Sequence, residues 1–368
     1  MAQVSLKNVS GVSVDGGAAR EFTLEVRDRE FMALVGPAGC GHSTLLRLIA
    51  GLDPLSSGEI TIGNKSVNAL PPLAREVAMV FPRAALFPHL TVSANIAFGL
   101  KGRHFPKTEV AKRVREAAGV AGVAAEALER KPSTLTSVEK LRVALARAIV
   151  GQPKAILCDD PLEALDSAER PAMRAELVKL QERLQTTLIY ATHDPLEAMA
   201  LGQRIAVLRE GVLQQCDTPQ GIYERPANLF VAGFLGQPKM NLLAGRLRAA
   251  QEGLLFKETG GTVEVQLAGL PVGESGAGTE VVLGIRSEDV RAVAAAETKT
   301  RGVRCQGIVD HVESTGADVF YFVQTGAHTV ILRTGASGEH GGAGRRMQFD
   351  IDPEKVHLFD AETTARIG

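Results

Sequence analysis

The stretch GPAGCGHST, residues 36–44, has the residue types and spacing for chemistry on phosphates. It follows the apolar run FMALV and precedes the apolar run LLRLIA, so it is expected to join a buried strand to a helix. The pattern GxxxxGK[ST] surrounds phosphates with backbone N–H groups, reaches the outer phosphates with its lysine and holds a metal ion with its hydroxyl. The candidate binding residues are Gly36, Pro37, Ala38, Gly39, Cys40, Gly41, His42, Ser43 and Thr44. His42 stands where the pattern has lysine.

Two later apolar runs end in residues that suit the same chemistry. The run AILCD ends in Asp159, a position from which a carboxylate can hold Mg²⁺ together with Ser43. Asp160 follows at once, where a general base would sit. The run TTLIYATH ends in His193. The order of these residues predicts a site for phosphoryl transfer.

The elements that must position these residues can be read from the apolar pattern. The runs EFMALVG, AILCD, TTLIYATH and RIAVLREG suit a sheet covered on both faces, which predicts a doubly wound α/β core. Residues 88–150 carry helical periodicity and predict an inserted helical subdomain. After FLGQPKMN, short strand candidates separated by glycine turns predict an all-β domain of barrel type. We therefore divide the chain into residues 1–235 and 236–368.

Bulk composition narrows the function classes. A chain of 368 residues exceeds the usual size of one core, so at least two domains are expected. Lys plus Arg (41) balances Asp plus Glu (42), which disfavours a nucleic-acid partner. Without a signal-like N-terminus or an apolar stretch of about 18 residues, a cytoplasmic chain is expected. The cysteines are far apart and suggest neither a zinc site nor disulfides: Cys40, Cys158, Cys216 and Cys305.

The sequence resembles the ATP-binding subunits of ABC transporters, in particular the maltose and glycerol-phosphate importer group. The resemblance covers essentially the whole chain. It is carried by STLLRLIAGLDPLSSGEITIG, ALFPHLTVSANIAFGL, RVALARAIV, THDPLEAMALGQRIAVLREG, FVAGFLGQPKMN, LGIRSEDV and HLFDAETTARI. It implies a P-loop NTPase (ABC ATPase) domain with a helical subdomain, followed by a C-terminal all-β, OB-like (TOBE-type) regulatory domain.

The same resemblance implies ATP and Mg²⁺ as cofactors and import of sugars or glycerol phosphate. A second ABC ATPase subunit, identical or different, pairs head to tail with such a chain, and transmembrane permease subunits dock on ALFPHLTVSANIAFGL. A solute-binding protein is an indirect partner, and the location is the inner face of the cell membrane. His193 is implied as a γ-phosphate sensor. Thr136 and Ser137 keep the hydroxyls of the signature that contacts the partner's ATP.

Five departures from the group affect positions that the resemblance implies in ATP binding or hydrolysis. They are His42 for lysine, Pro82 for glutamine, LTSVE (135–139) for LSGGQ, Asp160 for glutamate, and Ser13 where an aromatic that stacks on adenine is expected. Losing the charged contact of a lysine, roughly 1.5–3 kcal/mol, predicts ATP binding about ten- to a hundredfold weaker. Withdrawing the base by one methylene predicts hydrolysis slower by on the order of a hundredfold.

These departures leave alternatives open. The leading hypothesis is an importer subunit with weak ATP binding and slow hydrolysis. A second is a non-hydrolysing pseudo-ATPase that acts as a scaffold or regulator. A third is an active ATPase in which charged His42 replaces the lysine, so that binding strengthens as the pH falls towards about 6. Residues 36–44 could also be only a tightly packed helix N-terminus.

Overall fold

A computed structural model describes residues 2–13, 16–251, 253–267, 276–293, 302–335 and 342–367. Contacts divide the chain into two compact units, Met1–Ile222 and Tyr223–Gly368. None of the described helices is long and apolar enough to cross a membrane. The end of the expected strand region GTVEVQLAG lies outside the described residues.

The first unit has an α/β structure. Its strands are β1 (Val4–Val12), β2 (Ala18–Val26), β3 (Phe31–Val35), β4 (Ser57–Ile62), β5 (Lys65–Ser66), β6 (Val77–Val80), β7 (Ala155–Asp159), β8 (Thr187–Thr192), β9 (Arg204–Arg209) and β10 (Val212–Asp217). Its helices are α1 (His42–Ala50), α2 (Val92–Ala97), α3 (Lys107–Val120), α4 (Ser137–Ile149), α5 (Arg170–Leu184) and α6 (Pro195–Leu201), and α7 (Pro219–Glu224) lies across the division.

The central sheet has the strand order β10-β9-β3-β8-β7-β6. Every residue of β3, β7 and β8 is buried, as expected of parallel strands covered on both faces. The four apolar runs therefore form strands, and the α/β prediction is confirmed. In register, Val35 lies beside Thr192, and Asp159 lies beside Ala191. The carboxyl ends of three parallel strands thus meet at one edge, where the candidate residues follow.

The two faces of this sheet are covered by different layers. One face packs with α1 against an antiparallel sheet of order β2-β1-β4-β5. The other face packs against α2, α3, α4 and α5. Asn95 in α2 is fully buried, and its amide bonds the main-chain N–H and carbonyl groups of Phe87, which fixes the turn before the helix.

The helix behind the phosphate-loop sequence is fixed at its end by a buried cation. The Arg75 Nη1 donates to the carbonyl oxygens of Leu48 (2.7 Å) and Ile49 (3.0 Å), which lie in the last turn, where carbonyl groups lack partners within the helix. Gly51 ends α1 in the left-handed region, with φ 75°. This cap stabilises the position of α1 independently of the residues at its other end.

The described residues of the second unit form two antiparallel sheets, preceded by the end of α7 and by α8 (Leu229–Phe234), as the glycine-spaced pattern predicted. One antiparallel sheet contains β11 (Asn241–Ala250), β12 (Gly253–Glu258), β13 (Glu264–Gln266), β14 (Glu280–Ile285) and β20 (His357–Asp360). The other contains β15 (Val290–Val293), β16 (Val303–Ser314), β17 (Asp318–Gln324), β18 (Thr329–Gly335) and β19 (Arg346–Ile351). Their inward side chains share one apolar core.

His357 on β20 predicts an acid-sensitive second unit. Its Nδ1 is buried and has no hydrogen-bond partner in the described part of the chain. Burial, then Arg366 and Arg286, lower the pKa of His357 from 6.5 to about 4. The unfolded chain therefore takes up this proton first, so stability should fall by about 2 kcal/mol as the pH drops from about 6.5 to 4, after allowance for solvent screening.

Urea unfolding at neutral pH and near pH 4 measures this effect. The His357→Gln variant, which cannot titrate, should lose correspondingly less stability on acidification than the native chain. An equal loss in both proteins would place the acid sensitivity elsewhere.

Candidate functional site

The loop between β3 and α1 forms a cradle of backbone groups. Gly39 and Gly41 have φ values of 78° and 100°. A Cβ at Gly41 would lie 2.1 Å from the carbonyl oxygen of Ala18, so the close approach requires glycine. α1 then begins at His42 without a side-chain hydrogen bond capping it. Its first N–H groups and the helix dipole are therefore available to an anion.

The two expected metal ligands lie together below this cradle. The Ser43 Oγ donates to the Asp159 Oδ1 at 2.7 Å, and Asp159 is 6 % exposed. The described residues contain no group of three or more His, Cys, Asp or Glu side chains that could hold a metal ion. Mg²⁺ commonly takes one or two protein ligands and completes its shell with phosphates and water. The pair therefore fits a Mg²⁺ ion that binds together with a phosphate ligand. The ion would neutralise the negative charge of that phosphate.

His42 stands at the start of α1 with its imidazole buried. It is 8 % exposed, and its Nε2 has no hydrogen-bond partner among the residues that the structure describes. Burial lowers the pKa of His42, and its electrostatic neighbours are Asp160 and His193. The uncharged imidazole is therefore favoured, and the side chain faces the residues that follow β7 and β8. An unsatisfied buried nitrogen is costly unless a ligand bonds it.

The two candidate catalytic residues contact each other. The His193 Nδ1 lies 2.5 Å from the Asp160 Oδ2, and this hydrogen bond raises the pKa of His193. Asp160 has φ 42°, a left-handed conformation that Asp tolerates better than most residues. Its N–H donates to the carbonyl of Ala191 at 2.9 Å, which fixes it beside β8. The Asp160 carboxylate is therefore fixed in contact with His193.

A buried polar network behind this pair was not predicted from the sequence. The Thr192 hydroxyl lies 3.0 Å from the Glu197 Oε2 and 3.4 Å from the Asp160 Oδ1. The Tyr190 hydroxyl also donates to the Glu197 Oε2, at 3.0 Å. Glu197 is 2 % exposed, and burial raises its pKa. One sequence signal could have predicted this network: Glu197 follows His193 by four residues and lies on an otherwise apolar helix face.

Thr136 and Ser137 lie at the start of α4. Thr136 caps α4: its hydroxyl accepts from the Glu139 N–H at 3.2 Å, and its N–H donates to the Glu139 carboxylate at 2.8 Å. Arg130 pairs with Glu139 at 3.2 Å. The Glu139 carboxylate is therefore both hydrogen-bonded and paired with a cation. Both hydroxyl residues are exposed, as an intermolecular contact would require.

The segment after Pro82 is held in place by the side chain of Arg147. Arg83, Ala84 and Ala85 all have left-handed φ values, 54°, 63° and 41°. The Arg147 guanidinium donates to the carbonyl oxygens of Ala84 and Ala85, each at 2.9 Å. Arg83 itself is exposed. A strained segment is thus fixed without offering an amide to the site.

Comparison with known proteins agrees with this architecture. The family model described as ABC transporter matches residues 19–163, that of the MalK OB fold domain matches 236–290, and that of the TOBE domain matches 283–359. The trehalose/maltose import ATP-binding protein MalK of Thermococcus litoralis is 43% identical, with 99% of each chain covered. The chain belongs to the ABC transporter ATP-binding proteins.

Further ABC transporter relatives match over nearly the full length. The oligosaccharides import ATP-binding protein MsmX of Bacillus subtilis is 41% identical with 95% of each chain covered. The sn-glycerol-3-phosphate import ATP-binding protein UgpC of Ralstonia nicotianae is 40% identical over 100% of this chain and 99% of that protein. The dimeric ABC transporter cassette MJ0796 has a TM-score of 0.52 and 30% identity, covering 59% of this chain and 98% of its own.

Proposed function

We propose that this chain is the ATP-binding subunit of an ABC importer for sugars or glycerol phosphate, with weakened ATP binding and hydrolysis. The printed functions of MalK, MsmX and UgpC support the importer class. The weak binding of ATP is inferred from one observation: the Nε2 of His42, at the end of the phosphate-loop sequence, is buried without a hydrogen-bond partner among the described residues.

The residues of the site divide the work as follows. The uncapped N–H groups at the start of α1 would hold phosphates, and Ser43 with Asp159 would hold Mg²⁺. His42 would offer one neutral N–H to a phosphate oxygen, where a lysine would add a full charge. Asp160 is the group placed to accept a proton from water, but His193 already holds its carboxylate. Binding should therefore be weak and hydrolysis slow.

A groove between α2 and α3 supports docking on a membrane subunit. Its volume is about 310 Å³, and most of its lining residues are small or apolar. They are Thr91, Ser93, Ala94, Ala97, Phe105, Lys107, Val110, Ala111, Val114 and Glu129. Phe98 beside it is 39 % exposed. Small residues such as Ala94 and Ala97 leave room for an inserted helix, and the exposed phenylalanine adds apolar area for it.

The non-hydrolysing scaffold is the second candidate. It is favoured by the contact of His193 with the Asp160 carboxylate and by Pro82, which has no side-chain amide to orient an attacking water. The two candidates agree on docking and on a second ATPase subunit as partner. They differ in whether phosphate is released from Mg-ATP when the membrane subunits are present.

Calorimetric titration of Mg-ATP into the purified chain tests the nucleotide part. We expect binding in the high-micromolar to low-millimolar range, lost on Mg²⁺ removal or in the Asp159→Asn variant. Asp28→Asn makes the same substitution at an exposed position that is distant in sequence from Asp159. This matched control should bind Mg-ATP as the native chain does. Absence of binding at millimolar Mg-ATP would rule out a nucleotide-dependent subunit.

Membrane fractionation of the native host tests the docking part. A charge placed in the groove by Ala97→Arg should shift the chain out of the membrane fraction, because an arginine there is buried on docking. Ala172→Arg, on the exposed side of α5, is the matched control and should leave the distribution unchanged. Equal behaviour of the two variants would contradict docking at this groove.

A further inference from the structure

A cavity of about 290 Å³ lies between the end of α3 and the helices α4 and α5. None of its lining residues belongs to the phosphate loop or to the ends of the central strands. The buried part of the lining, called here the apolar floor, consists of Ala121, Leu145, Met173 and Leu180. The volume is near the lower end of the range for small-molecule sites, and covering this floor with an apolar group is favourable.

Positive charge predominates around the apolar floor. The lining contains three cations, Arg142, Lys179 and Arg183, and one carboxylate, Glu176. This carboxylate is already engaged, because the Arg142 Nε and Nη2 donate to its two oxygens at 3.1 and 2.6 Å. At neutral pH the four side chains therefore carry two net positive charges, which attract an anion.

Two of these cations have little to bind within the protein. Lys179 makes no hydrogen bond and no ion pair with any residue that the structure describes. The Arg183 Nη1 donates to the carbonyl oxygen of Val120 at 3.3 Å, in the last turn of α3. Both side chains are exposed, so an anion can reach them from the solvent.

Arg142 is held in place before any ligand binds. Its paired bonds to Glu176 fix the plane of the guanidinium, and a Cβ at Gly122 would lie 3.5 Å from its Nε. Its Nη1 has no hydrogen-bond partner in the described part of the chain. A guanidinium that is fixed in this way loses little freedom when it donates to a phosphate oxygen.

We propose that this cavity binds a small phosphate monoester with an apolar body. The dianionic phosphate matches the two net charges and contacts Arg142, Lys179 and Arg183, while the apolar body covers the floor. Inorganic phosphate gains only the charged contacts, and a neutral molecule gains only the apolar ones. The site is separate from the proposed nucleotide site, so this inference does not depend on nucleotide binding.

NMR of the methionine methyl groups in the intact chain tests the proposal at the cavity itself. Met173 is 3 % exposed and belongs to the floor. Its signal, assigned with the Met173→Leu variant, should shift saturably as phenyl phosphate is added at a pH of about 7.5, where the phosphate is mostly dianionic. Half-saturation is expected at about 1 mM, an ordinary affinity for so small a ligand. Met347, in the second unit, is the internal reference and should not shift.

Three comparison ligands separate the contributions to binding. Phenol lacks the charge and inorganic phosphate lacks the apolar body, so each should need a concentration at least about tenfold higher for half-saturation. Benzoate has a ring and one charge and should also bind more weakly than phenyl phosphate. No saturable shift of Met173 with phenyl phosphate, or half-saturation by any of the three at an equal or lower concentration, would overturn the proposal.

Removing the two exposed cations gives a second measurement. The double variant Lys179→Gln with Arg183→Gln should bind phenyl phosphate at least about fivefold more weakly than the native chain. Lys112→Gln with Arg115→Gln removes two charges from exposed positions of α3 outside the lining and should leave the half-saturation concentration unchanged. Unchanged affinity in the first double variant, or an equal loss in both, would contradict recognition of the phosphate by these cations.

Discussion

Replacing His42 with lysine is expected to tighten Mg-ATP binding by about ten- to a hundredfold. The native imidazole is buried and its pKa is lowered, so it would give a phosphate one neutral hydrogen bond. A lysine at this position would add a charge-assisted contact worth roughly 1.5–3 kcal/mol, and its longer stem would reach farther along the phosphate chain. Calorimetric titration of both proteins measures the difference.

Two variants separate charge at the site from charge in general. His42→Gln keeps a neutral donor and should bind no more tightly than the native chain. His104→Lys adds the same positive charge at an exposed position and should leave the affinity unchanged. If His42→Lys gives no gain, residues 36–44 serve only as packing around a helix start, and the nucleotide hypothesis loses its main support.

The His42→Lys variant should be less stable than the native chain without nucleotide and more stable than the native chain with it. A lysine at this buried position is desolvated, although the nearby Asp160 compensates part of that cost. The melting temperature without nucleotide should therefore fall slightly below that of the native chain. Tighter binding stabilises the folded state by mass action. Saturating Mg-ATP should therefore raise the melting temperature of the variant above that of the native chain.

The fold could be predicted because its strands carry a strong signal. Parallel strands covered on both faces must be apolar throughout, and β3, β7 and β8 are buried at every position. Once those strands are placed, their carboxyl ends share one edge, so Ser43 and Asp159 were expected together and lie 2.7 Å apart. The sequence order of loop, carboxylates and histidine was sufficient for this part of the site.

Other parts of the site depended on burial, which residue types alone do not specify. The sequence placed His42 in the loop but did not show that its Nε2 would be buried without a partner. The clamp of Arg147 on Ala84 and Ala85 joins residues more than sixty positions apart and has no local pattern. The Thr136–Glu139 cap was different, because T-x-x-E before an apolar run is a recognised helix-start pattern.

The contacts that fix the loop and α1 are separate from the candidate ligand-facing side chains. Arg75 caps the end of α1, and Gly41 fits against the carbonyl of Ala18, and neither contact involves the side chain of His42. Asp160 is fixed by its N–H bond to Ala191 and would be so with a longer side chain. Substitutions at the candidate ligand-facing positions are therefore expected to alter binding and rate with little effect on the fold.

Lengthening the base should have the largest effect on hydrolysis. In the His42→Lys background, Asp160→Glu is expected to raise the rate of phosphate release at saturating Mg-ATP by on the order of a hundredfold, because a displacement of about 1 Å costs roughly that much. The Asp160 carboxylate lies 2.5 Å from the His193 Nδ1, and a glutamate would extend one methylene farther from the backbone. The left-handed φ of 42° should make the variant slightly less stable, by at most about 1 kcal/mol.

Two comparisons decide whether reach of the carboxylate is the cause. Asp160→Asn in the same background removes the base and should leave the rate at or below that of His42→Lys alone, whereas Asp28→Glu lengthens an exposed carboxylate and should change nothing. A rise seen equally with Asn would mean that releasing His193, and not supplying a base, limits the native chain. No rise with Glu, despite saturated binding, would assign the block to Pro82 and the LTSVE segment, and the scaffold function would then be favoured over the slow ATPase.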